Sequence, residues 1–334
     1  MRKIFLAFLL LQVLIVHAQT LQSPDQFLGY KVGTKFTRHF KIVDYFKAVA
    51  SAKPDMVKVE KYGETYEGRD LMLAFIALPE NLQKLDAIRM NNLRMAGLAK
   101  DRMAPVTEGT PAIIWLSYNV HGNEPASSEA AMKVLYALVD PNNKDSKEWL
   151  KNVIIIIDPC INPDGRDRYV NWYNNAVGTK FNATPFAREH QEPWPQGRTN
   201  HYNFDLNRDW VTQTQPETRA LASWIKEQAG NRHVVSMMDF HSTDKTVIYA
   251  PPLTAPSPTI DFLKALKTKF DTTLAHPPEW NYAHRADSGN SKSWALETLK
   301  APGITVELWD QIPAADARAL GAAAADALIE YFGQ

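Results

Sequence analysis

His121, Gly122, Asn123 and Glu124 set a histidine and a carboxylate three residues apart in one short segment, close enough along the chain for both to reach a single ion. A later histidine, His241, and a glutamate, Glu307, complete a set of parts. Two imidazoles and a carboxylate are the ligands of a catalytic zinc site whose fourth position is left to water, and the remaining carboxylate can take that water's proton. None of these signals is specific alone. His and Glu co-occur in many surface loops, and a single strand-end histidine is more often a satisfied core residue than a ligand.

The segments that must hold these side chains read as alternating strands and helices. Apolar runs bounded by turn residues, at Met72–Ala77, Ala112–Tyr118, Val153–Ile157, Val234–Met238 and Ile304–Leu308, predict buried strands. Helical patterns lie at Ile42–Ala52, Glu80–Leu98, Ala126–Val139, Gln215–Gln228, Pro258–Leu274 and Ala314–Tyr331, with Pro125 suited to the first turn of Ala126–Val139. The alternation predicts an α/β fold: a single domain on a mixed, mostly parallel twisted sheet with helices on both faces. His121 and His241 then follow strand carboxyl ends, where ligands collect in such sheets. Glu307 lies inside an otherwise apolar strand, where an ionisable group needs a reason. The stretch from Asn171 to Asn203, rich in Asn, Pro, Trp and Gly, predicts a long irregular segment, and its place between candidate residues favours a functional one.

Further motifs stand in order along the chain: Tyr62-Gly63-Glu64-Thr65-Tyr66-Glu67-Gly68-Arg69, Asn162-Pro163-Asp164-Gly165, Asp205-Leu206-Asn207-Arg208-Asp209-Trp210 and Thr305-Val306-Glu307-Leu308. With His121–Glu124 and His241, this content and order resemble the zinc carboxypeptidases of the carboxypeptidase A type, the M14 metallopeptidases, from about Tyr62 to the final helix. The resemblance implies a zinc carboxypeptidase-like fold and one zinc ion per chain, held by His121, Glu124 and His241. Asp205 would stand behind a ligand histidine and orient it. Glu307 would be the general base that activates water and later passes the proton to the leaving amine.

The same resemblance implies a clamp for a free terminal carboxylate, since Arg208 beside Asn207 matches the family's carboxylate-binding pair and a guanidinium fork suits that anion. A second arginine is expected to polarise the scissile carbonyl and stabilise the oxyanion. Arg198 precedes Asn207 by the spacing of bacterial and cytosolic members, and Arg188 is the reserve. The segment Asp287–Trp294 resembles the family's side-chain specificity pocket, with two departures. Arg285, near His284 and Tyr282, stands where carboxypeptidase A-like enzymes carry a mobile tyrosine. Lys292 stands where better-known members have an aliphatic or acidic residue and would favour an acidic terminal side chain; the competing reading is a lysine directed to solvent. Trp172, Tyr173, Trp194 and Tyr202 could line a cleft, or staple their loop to the body.

The implied activity is that of a secreted zinc metallocarboxypeptidase acting on peptide or protein C-termini. Three alternatives stand beside it. A peptidase of the same fold cutting peptidoglycan stem peptides would use the same chemistry on cell-wall peptides. An amidohydrolase of the desuccinylase or aspartoacylase type shares H-x-x-E and the later histidine, but Asn207–Trp210 and Ser288–Trp294 argue against it. An inactive zinc- or peptide-binding module is opposed by the joint presence of Glu307, both histidines and Arg208.

Composition bounds these readings. With 334 residues, 45% hydrophobic, the chain can bury a large core. Basic and acidic residues balance at 37 each, so net charge makes no case for nucleic acid or an anionic membrane. Cys160 is the only cysteine, which excludes an intrachain disulfide. Met1-Arg2-Lys3, the apolar run Ile4–Val16 and Val16-His17-Ala18 predict a signal peptide over residues 1–18 and a catalytic domain over 19–334, exported to the periplasm or beyond the cell. The apolar run is too short for a comfortable membrane span.

Overall fold

The computed structural model describes residues 20–95, 110–180, 182, 184–226, 234–243, 245–252, 257–282, 289–299 and 301–309. The predicted signal peptide, Arg285 and the predicted helix Ala314–Tyr331 lie outside the described residues. Eight strands, β1 Val57–Glu64, β2 Asp70–Ile76, β3 Ala112–Tyr118, β4 Val153–Asp158, β5 Val234–Thr243, β6 Val247–Ala250, β7 Glu279–Tyr282 and β8 Gly303–Trp309, form one sheet in the order β1-β2-β4-β3-β5-β8-β6-β7. Strands β4, β3, β5 and β8 run parallel, as do β6 and β7, while β1·β2, β2·β4 and β6·β8 are antiparallel. The expected mixed, mostly parallel sheet is thus present, and the strands of its parallel centre carry the apolar runs that burial on both faces demands, broken by polar residues towards their carboxyl ends.

The helices are α1 Pro24–Leu28, α2 His39–Ala52, α3 Pro79–Leu82, α4 Leu85–Met95, α5 Ala126–Val139, α6 Ser146–Trp149, α7 Pro163–Ala176, α8 Pro216–Trp224, α9 Ser257–Thr273 and α10 Ser291–Trp294. Because strand side chains alternate, each central strand feeds two cores. One face carries Ile114, Leu116, Ile155, Ile157, Ile304 and Val306 against Ile42 and Phe46 of α2, Leu135 of α5 and Phe262 of α9. The opposite face carries Ile113, Trp115, Ile154, Ile156 and Met237 against Ile88 of α4, Leu221 of α8 and Trp294 of α10.

Several sequence expectations need correction. The described part of the pattern Glu80–Leu98, up to Met95, is two helices, because Lys84 N–H bonds back to the Asn81 carbonyl and tightens the chain between α3 and α4. Asn171–Ala176 is helical rather than irregular, being the end of α7. That helix starts at the Asn162-Pro163-Asp164-Gly165 motif, where the Asn162 side chain accepts from Gly165 N–H and Pro163 occupies the first turn. Pro125 sits at the cap position of α5, one residue ahead of the expected place. Strands β1, β6 and β7 were not predicted: β1 is a charged edge strand paired with β2 alone, and β6 and β7 are short.

Candidate active site

The pairing of β5 with β8 sets His241 beside Glu307, and one row earlier sets Asp239 beside Thr305. Ser117 of β3 and Asp158 of β4 extend that earlier row across the sheet. Alternation puts Asp239 with His241, and Thr305 with Glu307, on one face of the sheet. His121 reaches the same place from the loop after β3, where Asn119 turns the chain with a left-handed φ of 58° and Glu124 leads into α5.

There the three predicted ligands converge. His121 Nδ1 lies 2.7 Å from Glu124 Oε1, and His241 Nδ1 lies 2.8 Å from Glu124 Oε2 and 3.1 Å from His121 Nδ1. The far ring nitrogens each meet a carboxylate: His121 Nε2 donates to Asp205 and His241 Nε2 to Asp239, both at 3.1 Å. These bonds hold each ring with Nδ1 turned inward towards Glu124. Two imidazoles and a carboxylate whose ligand atoms lie within 4.8 Å of one another, each imidazole backed by an acid, fit a zinc ion.

The charges are tuned by the same contacts. Burial opposes ionisation of Glu124, but the His241 and His121 imidazoles outweigh it and hold its carboxyl well below the usual range. Burial likewise opposes charge on Asp205, and His121 with Arg198 overrides it. For Glu307 burial prevails over the nearby His241 and raises the carboxyl pKa, which is the direction a general base needs near neutral pH.

Arg198 lies against this cluster. Its Nη2 and Nε donate to Asp205 Oδ2 at 3.0 and 3.2 Å, and Nη1 stands 3.6 Å from Glu124 Oε1. Arg188, the reserve candidate, is exposed on the short turn Arg188–His190. Glycines bring the Arg198 loop against the metal loop. A Cβ on Gly122 would sit 2.1 Å from the Gly165 carbonyl carbon and 2.5 Å from the Gly197 oxygen, and one on Gly165 would sit 2.4 Å from that oxygen. Backbone-to-backbone contact of these two loops with the first turn of α7 therefore depends on the absence of side chains at these positions.

Asn207 and Arg208 occupy a single 3-10 turn capped by Asp205, whose side chain accepts from Asn207 N–H. Asn207 is buried, accepts from Ser291 N–H at 3.0 Å and places its amide nitrogen 3.3 Å from His241 Nε2. Arg208 is exposed, with Nη1 donating to the Asn207 carbonyl at 2.7 Å. Gly289, at φ 68°, lets the pocket segment close on this turn, since a Cβ there would lie 2.2 Å from the Arg208 carbonyl oxygen. Lys292 is 7% exposed on α10, and burial lowers its ammonium pKa, so the solvent-directed reading is wrong. The four aromatics do not form one cluster. Tyr173 packs with Phe36 and Tyr169, Tyr202 with Tyr66, and Trp194 is exposed.

Asp239 is the site residue that sequence reasoning missed. An acid two positions before a strand-end histidine, inside the run Met237–Phe240, was the available signal. Ser291, which donates to Asp239 Oδ2 at 2.6 Å, carried no such signal.

The carboxypeptidase N catalytic chain of Mus musculus is 27% identical over 273 residues, covering 71% of this chain and 53% of that protein. Carboxypeptidase D of Mus musculus is 24% identical over 198 residues, 56% of this chain and 11% of that protein. The chain thus spans about half the length of the first and about a tenth of the second. A metallo-carboxypeptidase from Burkholderia cenocepacia shares the fold, with a TM-score of 0.60 at 15% identity over 88% of this chain and 68% of that one. The family described as zinc carboxypeptidase matches residues 42–319, a span that contains every candidate ligand and carboxylate of the cluster, and this chain belongs to that family.

Proposed function

We propose that this chain is a zinc-dependent carboxypeptidase that removes residues from peptide C-termini. The observation that carries the reading is the convergence of His121 Nδ1, Glu124 and His241 Nδ1 with Glu307 paired in register beside His241. A zinc ion held by these three ligands would supply a Lewis acid that polarises a carbonyl and makes water more acidic. Glu307, with its raised pKa, takes the proton from the attacking water and returns it to the leaving amine nitrogen. Arg198 supports the charge that grows on the carbonyl oxygen. Arg208, exposed beside the cluster, receives the terminal carboxylate, and Asn207 keeps that turn against α10. Asp205 and Asp239 hold the ligand imidazoles in one tautomer. The buried cation of Lys292 supports a preference for terminal Glu or Asp. The Met1–Ala18 pattern supports export to the periplasm or beyond the cell, which amino-terminal sequencing of the exported protein tests: a start near Gln19 is expected.

The deciding experiment is release of C-terminal amino acids from a mixed peptide panel by the zinc-loaded protein, with a chelator and Glu307→Gln as controls. Stepwise release abolished by both controls is expected, fastest from terminal Glu or Asp. Equal release of terminal Phe or Lys removes the acidic preference. A cell-wall stem peptide and an N-acyl amino acid in the same panel test the rival substrates, and cleavage of one of those alone overturns the carboxypeptidase reading.

A further inference from the structure

Asn119, the first residue past β3, is fully buried. Its amide nitrogen donates to the carbonyl of His121 at 2.6 Å and to that of Glu124 at 3.0 Å. One side chain thus grips the backbone of two candidate ligands from behind. The turn's own bond, from Glu124 N–H to the His121 carbonyl at 3.1 Å, closes the loop, and Asn119 ties both ends of it to the sheet.

Asn119 is itself held. Its amide oxygen accepts from Arg166 Nη1 at 2.8 Å, and Ser128 Oγ, which donates to the Pro159 carbonyl at 2.6 Å, stands 3.1 Å from it. Arg166 is fully buried, and each of its N–H groups has an acceptor: Asn119 and the Pro125 carbonyl for Nη1, Thr37 O and Glu129 for Nη2, and Thr37 O for Nε. Glu129 also accepts from the backbone N–H and hydroxyl of Thr37 at 2.6 and 2.9 Å. A buried polar network with every member satisfied rigidifies what it touches, and this one ends on the ligand turn.

We infer that Asn119, clamped by Arg166, is a positioning residue that keeps the His121–Glu124 turn in its metal-ready shape before an ion arrives. The inference rests on the zinc reading above. A preorganised site loses none of its binding free energy to ordering a loop, so removal of the brace registers first in metal affinity.

The test is the zinc dissociation constant of the folded protein, read by competition with a chromophoric chelator and without peptide. Asn119→Gly keeps the left-handed backbone and deletes the amide; Asn119→Ala deletes the amide and adds backbone strain. Cooperative thermal unfolding of the metal-free variants reports folding separately. Both variants are expected to bind zinc about 10- to 100-fold more weakly, and alike, with Ala the less heat-stable. Affinity of the folded Gly variant within about twofold of the unaltered protein overturns the inference, as does a loss confined to Ala, which would assign the effect to backbone strain. If neither folds, Asn119→Asp keeps the side-chain shape and the acceptor for Arg166 but has no N–H for the His121 and Glu124 carbonyls. Zinc binding weakened a few-fold by that change supports the brace, and unchanged binding overturns it. A protein that binds zinc with this pattern but cuts no peptide leaves the brace standing and removes the carboxypeptidase reading, whereas failure of the unaltered protein to bind zinc removes both.

Discussion

On one face of the sheet, Leu116 and Tyr118 of β3, Ile155 and Ile157 of β4 and Ile304 and Val306 of β8 stay apolar to the strand ends. On the other face β3, β4 and β5 begin with Ile113, Trp115, Ile154, Ile156 and Met237, then with β8 change at one row to Asp158, Ser117, Asp239 and Thr305, all buried. The next row holds His241 and Glu307. Both faces share one backbone and one set of ladder bonds, so the contrast lies wholly in alternate side chains. The apolar face holds the strands at fixed spacing; the polar rows use that spacing to set charges against one another. Buried polar groups cost free energy unless they are paired, so the second face is tolerated through contacts such as Ser291 to Asp239 and Tyr62 to Asp158.

If the two faces divide labour in this way, substitutions should separate chemistry from stability. The largest effect falls on the last polar row: Glu307→Gln should lower kcat by about 10²- to 10⁴-fold while zinc content stays intact. Steady-state peptide cleavage with metal analysis checks it, and a near-normal rate would break the comparison. On the apolar face, Leu135→Ala on α5 should cost about 2–5 kcal/mol in denaturant unfolding and leave the zinc affinity of the folded protein unchanged.

The buried polar row should show its cost through pH. Burial raises the Asp158 carboxyl from 3.8 to about 7, with Tyr62 and the Cys160 N–H opposing. The folded state therefore retains a proton that the unfolded state releases, so this group's stabilising contribution is complete below about pH 4 and is lost as pH rises towards 7. Asp158→Asn should remove on the order of 4 kcal/mol of that fall, read as the difference in unfolding free energy between acid and neutral pH. Glu217, raised to about 7 chiefly by burial, should leave a residual slope of the same sign. The smallest effect is expected of Asp239→Asn, which should weaken zinc binding about 10-fold with little change in folding; unchanged affinity would show that the row beneath the ligands is structural only.

Much of this was legible along the chain. The runs Ala112–Tyr118 and Ala126–Val139 became β3 and α5 at the expected bounds, because an apolar period and a proline at the helix start act within a few residues. The motif Asn162–Gly165 served only to carry the resemblance, although its capping asparagine and first-turn proline start helix α7. Edge strand β1 was not legible, since Lys58, Glu60 and Lys61 mask its alternation and pairing with β2 alone selects it.

The sequence by itself determined which residue types were present for chemistry and where most strands and helices would form, because periodicity, caps and motif spacing act over short stretches. Only the tertiary structure decided which of those residues meet. His121 and His241 stand 120 positions apart, and strand order together with register brings their Nδ1 atoms to 3.1 Å. The same packing set Arg198, already favoured by its spacing from Asn207, against Asp205, gave each candidate imidazole its own acid and buried Lys292. Contacts between distant segments depend on how a whole sheet closes around two cores, and no local pattern carries that information.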